Sequence, residues 1–393
     1  MVKGVKVDIP EKERFLISYC FSESEQYLGS SGSIPYNCEK RCPEAFAFFI
    51  YVNQSIKSIM KTLKQSIGID VAKDTLVCCI GGSDQNEQFT FSKTKTFSNN
   101  LSGFVGLMQW IAPSKSNDVI FVMEATGVYY ENLAYWLDSK GEKLSVLLPN
   151  KVKHYAKSLN LKTKTDGVDA QLLSRIGLER KLSLWTMPSK IMREVKFLSR
   201  EYREDKAKLV IVKNQLHAKE HAHGCPASII KRLKKQIAFL ETQLLETEAE
   251  LRVKIMSDSL LSDKVTRIST IPGISFMTII SILAETNTFA LVENAKQLVS
   301  YAGLDIQHNQ SGAKEGKTRI SKKGNSYIRN ALYMPALCAS KHNPDMKVFY
   351  NRIIESKPAK KIGITAVARK LLILTYILWK NDTEFELEYA KSK

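Results

Sequence analysis

Asp118-Val119-Ile120-Phe121-Val122-Met123-Glu124 sets five consecutive apolar residues between two acids. The run is short and rich in β-branched and aromatic side chains, so it reads as a strand buried on both faces. It closes on a carboxylate. Ile67-Gly68-Ile69-Asp70 has the same form, an apolar strand ending in Asp70. Acids at the ends of buried strands are unusual, because a carboxylate taken out of water without a partner is costly.

On either side of this run the pattern is regular. Residues 66–69 and 75–80 are β-branched and apolar, and residues 89–97 alternate as a half-exposed strand does. Residues 100–111 have helical spacing. Gly127 is expected to open a helix through Leu137, and residues 143–148 form a further strand closed by Pro149. Strands followed by strand–helix alternation predict an α/β domain, a mixed sheet covered by helices.

Two more acids follow in Lys164-Thr165-Asp166-Gly167-Val168-Asp169 at an expected helix start. A spacing of three places Asp166 and Asp169 on one helical face. Gathering Asp70, Glu124, Asp166 and Asp169 becomes favourable when divalent cations neutralise them. Two such ions roughly 4 Å apart can activate a hydroxyl and stabilise a leaving oxygen in phosphoryl transfer. An oxygen-only donor set favours Mg2+ or Mn2+ over zinc. Singly, each acid has an ordinary alternative: Asp70 as a strand-end turn residue, Asp166 as a helix cap. Asp74 lies close in sequence, but a strand-terminal Asp is better placed to reach a cleft.

Lys151, Lys153, His154, Lys157, Lys162 and Lys164 immediately precede the acid pair. They read as a phosphate-binding groove with salt-dependent affinity, or as a solvated helix face. The whole chain supports the first reading. Its 393 residues carry 58 Lys and Arg against 40 Asp and Glu, a net charge of +18, and a protein this basic usually meets nucleic acid. A merely basic protein stays open on charge alone. Hydrophobic residues make up 44% and charged residues 25%, the balance of a globular chain of more than one domain.

In residues 190–255, Val195, Leu198, Tyr202, Leu209, Val212 and Leu216 follow steps of three and four, with Asp205 in one slot. After Pro226, Ile230, Leu233, Ile237, Leu240, Leu244 and Leu251 resume them. This is a heptad seam on both arms of an antiparallel coiled-coil helical hairpin. It serves either internal packing or dimerisation. Residues 262–380 read as mainly helical. Ile271-Pro272-Gly273-Ile274 is similar to the turn of helix-hairpin-helix DNA binders, whose backbone amides meet phosphate, though Pro-Gly is also an ordinary turn. Ser311, beside Gly312 and upstream of Lys317, Arg319, Lys322, Lys323 and Arg329, has the setting of a nucleophile flanked by cations, or of an ordinary loop serine.

Residues 1–59 show no sustained period, and the first domain is expected to begin near Met60, leaving an N-terminal extension. The apolar runs 45–52 and 371–379 fall short of the roughly 20 residues needed to cross a membrane; the second reads as a buried C-terminal helix. The seven cysteines lack a disulfide spacing, the pattern of a reducing cytosol. His217-Ala218-Lys219-Glu220-His221 matches a zinc-protease pattern, but it falls at the tip of a polar hairpin and reads as solvated.

Gly68-Ile69-Asp70-Val71-Ala72-Lys73, Met123-Glu124-Ala125-Thr126-Gly127, Lys164 to Ala170, Ile271 to Ile274, Tyr301-Ala302-Gly303-Leu304, Ser311-Gly312, and Lys323 to Arg329 keep one order along the chain. Together they resemble the DEDD-type insertion-sequence transposases. The resemblance implies an RNase H-like, RuvC-like nuclease domain over 60–188 and, beyond the coiled-coil hairpin that the heptads place over 189–258, a transposase domain over 259–393. It implies that Asp70, Glu124, Asp166 and Asp169 bind Mg2+ and that Ser311 becomes joined to DNA. It further implies donor and target DNA, a structured guide (bridge) RNA, a dimer or tetramer with a composite site, and a bacterial or archaeal cytoplasm. Residues 1–59 and Asn309-Gln310 depart from the family pattern. Two other readings remain at this level: a RuvC-like metal-dependent nuclease or junction resolvase without serine chemistry, and a non-catalytic DNA-binding protein from a decayed element.

Overall fold

The computed structural model describes residues 64–84, 86–307, 310–311, 314–316, 318–356 and 359–386. The expected extension over 1–59 and the apolar run 45–52 lie outside these residues. The chain divides into two compact units, Met1–Met187 and Pro188–Lys393.

The first unit is built on a mixed sheet. Its strands are β1 (Lys64–Val71), β2 (Thr75–Ser83), β3 (Phe89–Phe91), β4 (Lys95–Ser98), β5 (Val119–Glu124) and β6 (Leu144–Leu147). Their order is β3-β2-β1-β5-β6, with β4 also on β2. β1 is antiparallel to β2 and parallel to β5, and β6 is parallel to β5. The expected single strand over 89–97 is split, because Ser92 interrupts it. The Ser92 hydroxyl accepts the Ile80 amide at 3.0 Å, a position that a ladder carbonyl would otherwise take.

Alternation along β1 and β5 sorts the two faces of the sheet. Ile67, Ile69, Phe121 and Met123 pack on one side with Phe104, Leu107 and Ile111 of α1 (Leu101–Ile111) and Leu133 and Leu137 of α2 (Glu131–Ser139). Val122 faces the other side, with Val152 of α3 (Pro149–Ser158) and Leu172, Leu173 and Ile176 of α4 (Asp166–Glu179). Burying each such side chain contributes about 1.5–3 kcal/mol. The helix expected from Gly127 begins at Glu131 instead: Gly127 has φ +63°, and Val128 and Tyr129 are exposed. α3 lies in a stretch without apolar period, since Val152 is its one buried residue.

The second unit opens with α5 (Lys190–Glu220) and α6 (Ala227–Met256). The ion pairs Glu194–Lys254, Lys213–Glu241 and Glu220–Lys234 show that the two helices run in opposite directions. Leu209, Val212 and Leu240 form a seam of their own. Val195, Leu251 and Ile255, nearer the base, belong to the core of the helices that follow. Asp205, in its seam slot, is buried but bonded to Lys208 at 2.8 Å.

Those helices are α7 (Ser259–Ser269), α8 (Phe276–Thr286), α9 (Ala295–Tyr301), α10 (Ser326–His342), α11 (Pro344–Ser356) and α12 (Lys360–Asn381). Between α9 and α10 come the short strands β7 (Ile306–Gln307), β8 (Gln310–Ser311), β9 (Lys314–Glu315) and β10 (Arg319–Ile320). α12 is long and apolar enough to cross a membrane, but Val367, Leu371 and Leu372 are fully buried in the core of this unit.

Candidate active site

The packing of α4 on the sheet places the first-unit acids. Side chains two residues apart on a strand share a face, so Ser66, Gly68 and Asp70 all point to the side that α4 covers. Contact there is too close for side chains. A Cβ on Gly68 would lie 2.0 Å from the Ala170 carbonyl oxygen and 2.2 Å from the Ser174 amide nitrogen. On the helix, a Cβ on Gly177 would lie 2.0 Å from the Ser66 hydroxyl. The Ser174 hydroxyl donates to the Ser66 carbonyl at 2.9 Å. These glycines let the backbone of α4 rest on β1, with its N-terminal turn toward the strand end that carries Asp70.

Glu124 arrives from the neighbouring strand. The parallel register pairs Gly68 with Val122 and Ile69 with Met123, so Asp70 and Glu124 leave the sheet side by side on the same face. Thr126 donates its hydroxyl to Glu124 Oε1 at 2.8 Å. Asp166 and Asp169 occupy the first turn of α4. The cap of that helix is Thr165, whose side chain accepts the Val168 amide at 3.3 Å, so Asp166 is left free for another task. Both acids also benefit from the positive end of the helix dipole.

Asp70 feels the charge of the other three carboxylates, and Asp169 that of Asp166. Burial, followed by repulsion from Asp169, Asp166 and Glu124, pushes Asp70 from 3.8 up to about 6, against the pull of Lys164. Asp169 is raised by burial and by Asp166, again opposed by Lys164. Among the described residues no three His, Cys, Asp or Glu side chains stand close enough to grip a metal ion as they are. The set therefore fits a hard divalent cation in donor chemistry and charge, with oxygen atoms only and repulsion that a dication would relieve. It is not a closed coordination cage.

Lys151, Lys153 and Lys157 are exposed on α3, and Lys162 and Lys164 are exposed on the segment leading into α4. Lys164, expected only as a phosphate ligand, also acts electrostatically on Asp70 and Asp169.

In the second unit, Ser311 lies in β8, which pairs with β9 through Ser311–Lys314 and Gln310–Glu315. β7 and β10 pair with each other on the same excursion. Arg319, Lys322 and Lys323 are exposed there, whereas Gly312 and Lys317 lie outside the described residues. Arg329 turns inward and donates to the carbonyls of Ala302 at 2.8 Å and Gly324 at 2.9 Å. Gly273 has φ +98°, and a Cβ there would lie 3.1 Å from that of Ala339, so the turn before α8 requires glycine.

The glycine contact between β1 and α4 joins residues about a hundred positions apart and has no local sequence signal. Glu285 was likewise unforeseen. It is a single acid at the end of an apolar helix, and its partners are 85 and 40 residues away.

Two family models match this chain. Residues 265–351 match the model described as "Transposase IS116/IS110/IS902 family", and residues 67–219 match a DEDD-class model described as "Transposase". The chain is 31% identical over 328 residues to the pilin gene-inverting protein of Moraxella bovis, covering 82% of this chain and 98% of that one. The pilin gene-inverting protein of Moraxella lacunata matches at the same identity and coverage. The transposase for insertion sequence element IS1111A of Coxiella burnetii is 23% identical over 359 residues, covering 82% of this chain and 92% of that protein.

Proposed function

Since this chain belongs to the IS116/IS110/IS902 family of transposases and is a DNA recombination enzyme, we propose that it cuts and rejoins DNA strands with Asp70, Glu124, Asp166, Asp169 and Ser311. The observation that carries this reading is the convergence of Asp70 and Glu124 with the first turn of α4 on one face of the sheet. The family points to a divalent cation; the four carboxylates would hold Mg2+ or Mn2+. When bound, the cation would supply charge neutralisation for the attacking and leaving oxygens of a phosphodiester.

Ser311 is the nucleophile. Its hydroxyl oxygen forms a bond to phosphorus as the bond from phosphorus to a sugar oxygen breaks; the serine gives up its proton and the released sugar oxygen takes one. Attack by a hydroxyl of another strand reverses the step and joins the new ends. Rejoining suits the pilin gene-inverting proteins of Moraxella, because a protein that inverts a gene must reseal what it cuts. Lys317, Arg319, Lys322 and Lys323 attract the DNA near Ser311, and Lys151, Lys153, Lys157, Lys162 and Lys164 attract it near the acids. Gly273 offers backbone amides to phosphate.

The finer architecture follows the same reading. The mixed sheet with helices on both faces supports an RNase H-like, RuvC-like domain over 60–188. The seam of Leu209, Val212 and Leu240 supports a coiled-coil hairpin over 189–258, and the helical core supports a transposase domain over 259–393. A guide RNA that pairs with donor and target DNA would provide sequence specificity. A dimer or tetramer in a bacterial or archaeal cytoplasm completes the reading.

The test uses purified protein, Mg2+, DNA carrying the element ends and the RNA encoded beside the gene. A denaturation-resistant protein–DNA adduct is expected, and Ser311→Ala removes it. Cleavage that continues without an adduct in Ser311→Ala would point to a metal-dependent nuclease instead.

A further inference from the structure

The excursion that carries Ser311 leaves the helical core at Tyr301 and returns at Asn325, and its neck is unusually tight. The Asn325 amide donates to the Tyr301 carbonyl at 2.7 Å, and the Lys322 amide to the Gly303 carbonyl at 3.1 Å. A Cβ on Gly324 would lie 2.4 Å from the Tyr301 carbonyl oxygen, and one on Gly303 would lie 2.8 Å from the Arg329 guanidinium. Arg329 bridges carbonyls on both sides of the neck. Beyond the neck, Ser321 donates its amide to the Asp305 carbonyl at 2.9 Å and its hydroxyl to the Asp305 carboxylate. The β7–β10 pairs then extend the ladder toward Ser311.

Beneath the neck sits a buried carboxylate. Glu285 of α8 is 3% exposed and accepts two hydrogen bonds from Arg200 of α5, at 2.7 and 3.0 Å. Its second oxygen also accepts the Asn325 side-chain amide at 2.7 Å. Asn325 meanwhile caps α10, its oxygen accepting the Tyr327 amide at 2.8 Å and the Ile328 amide at 3.3 Å. The Tyr301 hydroxyl donates to the Glu285 backbone carbonyl at 2.9 Å, which closes the circuit. Burial alone would raise Glu285, but its bonds from Arg200 and Asn325 prevail and hold it below the usual range.

Apolar residues of equal volume would serve stability as well as a buried ion pair. What this set adds is direction. It fixes both ends of one excursion against two helices, and small displacements of a reacting group cost large factors in rate. We propose that Glu285, Arg200, Asn325 and Arg329 are positioning residues that set the aim of the Ser311 hairpin for strand transfer. The proposal rests on Ser311 as nucleophile.

The test reverses one hydrogen bond. Asn325→Asp keeps an acceptor for the α10 cap but sets a carboxylate against Glu285. Pairing it with Glu285→Gln restores a donor–acceptor contact, now running from residue 285 to residue 325. For Asn325→Asp, adduct formation at saturating DNA should slow by about tenfold or more, with the half-saturating DNA concentration changed less than about threefold. Amide hydrogen exchange at Ser321 and Lys322 should quicken, with the rest of the second unit unchanged. The double variant should recover part of both rate and protection, since the residue-285 amide that donates to residue 325 can no longer accept from Arg200 at that position.

An unchanged rate or unchanged protection in Asn325→Asp overturns the proposal. So does a double variant no better than the single one, or a loss that follows exchange raised throughout the unit. An adduct that survives Ser311→Ala overturns the serine reading itself. The exchange measurements cannot imitate that result, because they need neither DNA nor the hydroxyl.

Discussion

Asp70→Asn is expected to make the metal-free protein more stable while ending its chemistry. In the folded protein Asp70 lies half-buried, and burial with the repulsion of Asp169, Asp166 and Glu124 raises it from 3.8 to about 6. At about 1.4 kcal/mol for each tenfold change, the full displacement is worth about 3 kcal/mol. The group is only half-buried, and solvent screens part of that, which leaves about 1–2 kcal/mol. Because the folded-state value is the higher one, Asp70's contribution to stability is fully present below pH 3.8 and is lost as pH rises through about 6. Asparagine cannot ionise and escapes the loss. In chelator at pH 7.5, calorimetry of the full chain should show the first-unit transition about 3–8 °C higher for Asp70→Asn. At pH 4 the two proteins should nearly coincide. Adding Mg2+ to ten times its dissociation constant should stabilise the natural protein by about 1.4 kcal/mol and the variant by much less. A variant that melts lower than the natural protein in chelator would make Asp70 a structural partner and end this expectation. Equal stabilisation of both proteins by Mg2+ would end it as well.

Other expectations come from the packing and the surface charge. Gly68→Ala forces backbone of α4 off β1, where a Cβ has only 2.0 Å of room; a loss of about 1–3 kcal/mol or more in urea unfolding is expected, together with loss of the Mg2+ stabilisation. Glu285→Ala leaves Arg200 and Asn325 without their shared acceptor in the second unit; Arg200 is more than a third exposed and can take water instead, so the loss should be about 1–3 kcal/mol by the same measurement. Changing Lys151, Lys153 and Lys157 together to Ala should flatten the plot of log affinity for duplex DNA against log salt, by about 0.9 for each phosphate that the variant no longer neutralises.

Much of the first unit was legible because its strands are short apolar runs closed by charge. β1, β2, β5 and β6 lie where those runs do, and the acids that end two of them stand on one face because side chains alternate along a strand. α3 was legible only as the solvated helix face that the lysine run allowed: with Val152 as its one buried residue, it carries no apolar period. The break at Ser92 depends on a hydroxyl that takes the Ile80 amide, which strand propensity does not register. The steps of three and four found the pairing of α5 with α6, but not that Val195 and Leu251 would join the core of the following helices. The glycine contact of α4 with β1 and the Glu285 circuit are tertiary throughout, and spacing along the chain carries no trace of either.

The proposed cutting of DNA depends on Asp70, Glu124, Asp166 and Asp169 acting together as one metal-dependent centre. Strand cleavage of element-end DNA across a Mg2+ titration examines that dependence without intermediaries. It compares the natural chain with Asp70→Asn, Glu124→Gln, Asp166→Asn and Asp169→Asn, each confirmed folded by calorimetry. Cleavage should disappear in chelator and fall at least about 100-fold in each variant. Cleavage that persists in chelator, or variants that cut at the natural rate, would contradict a shared metal centre.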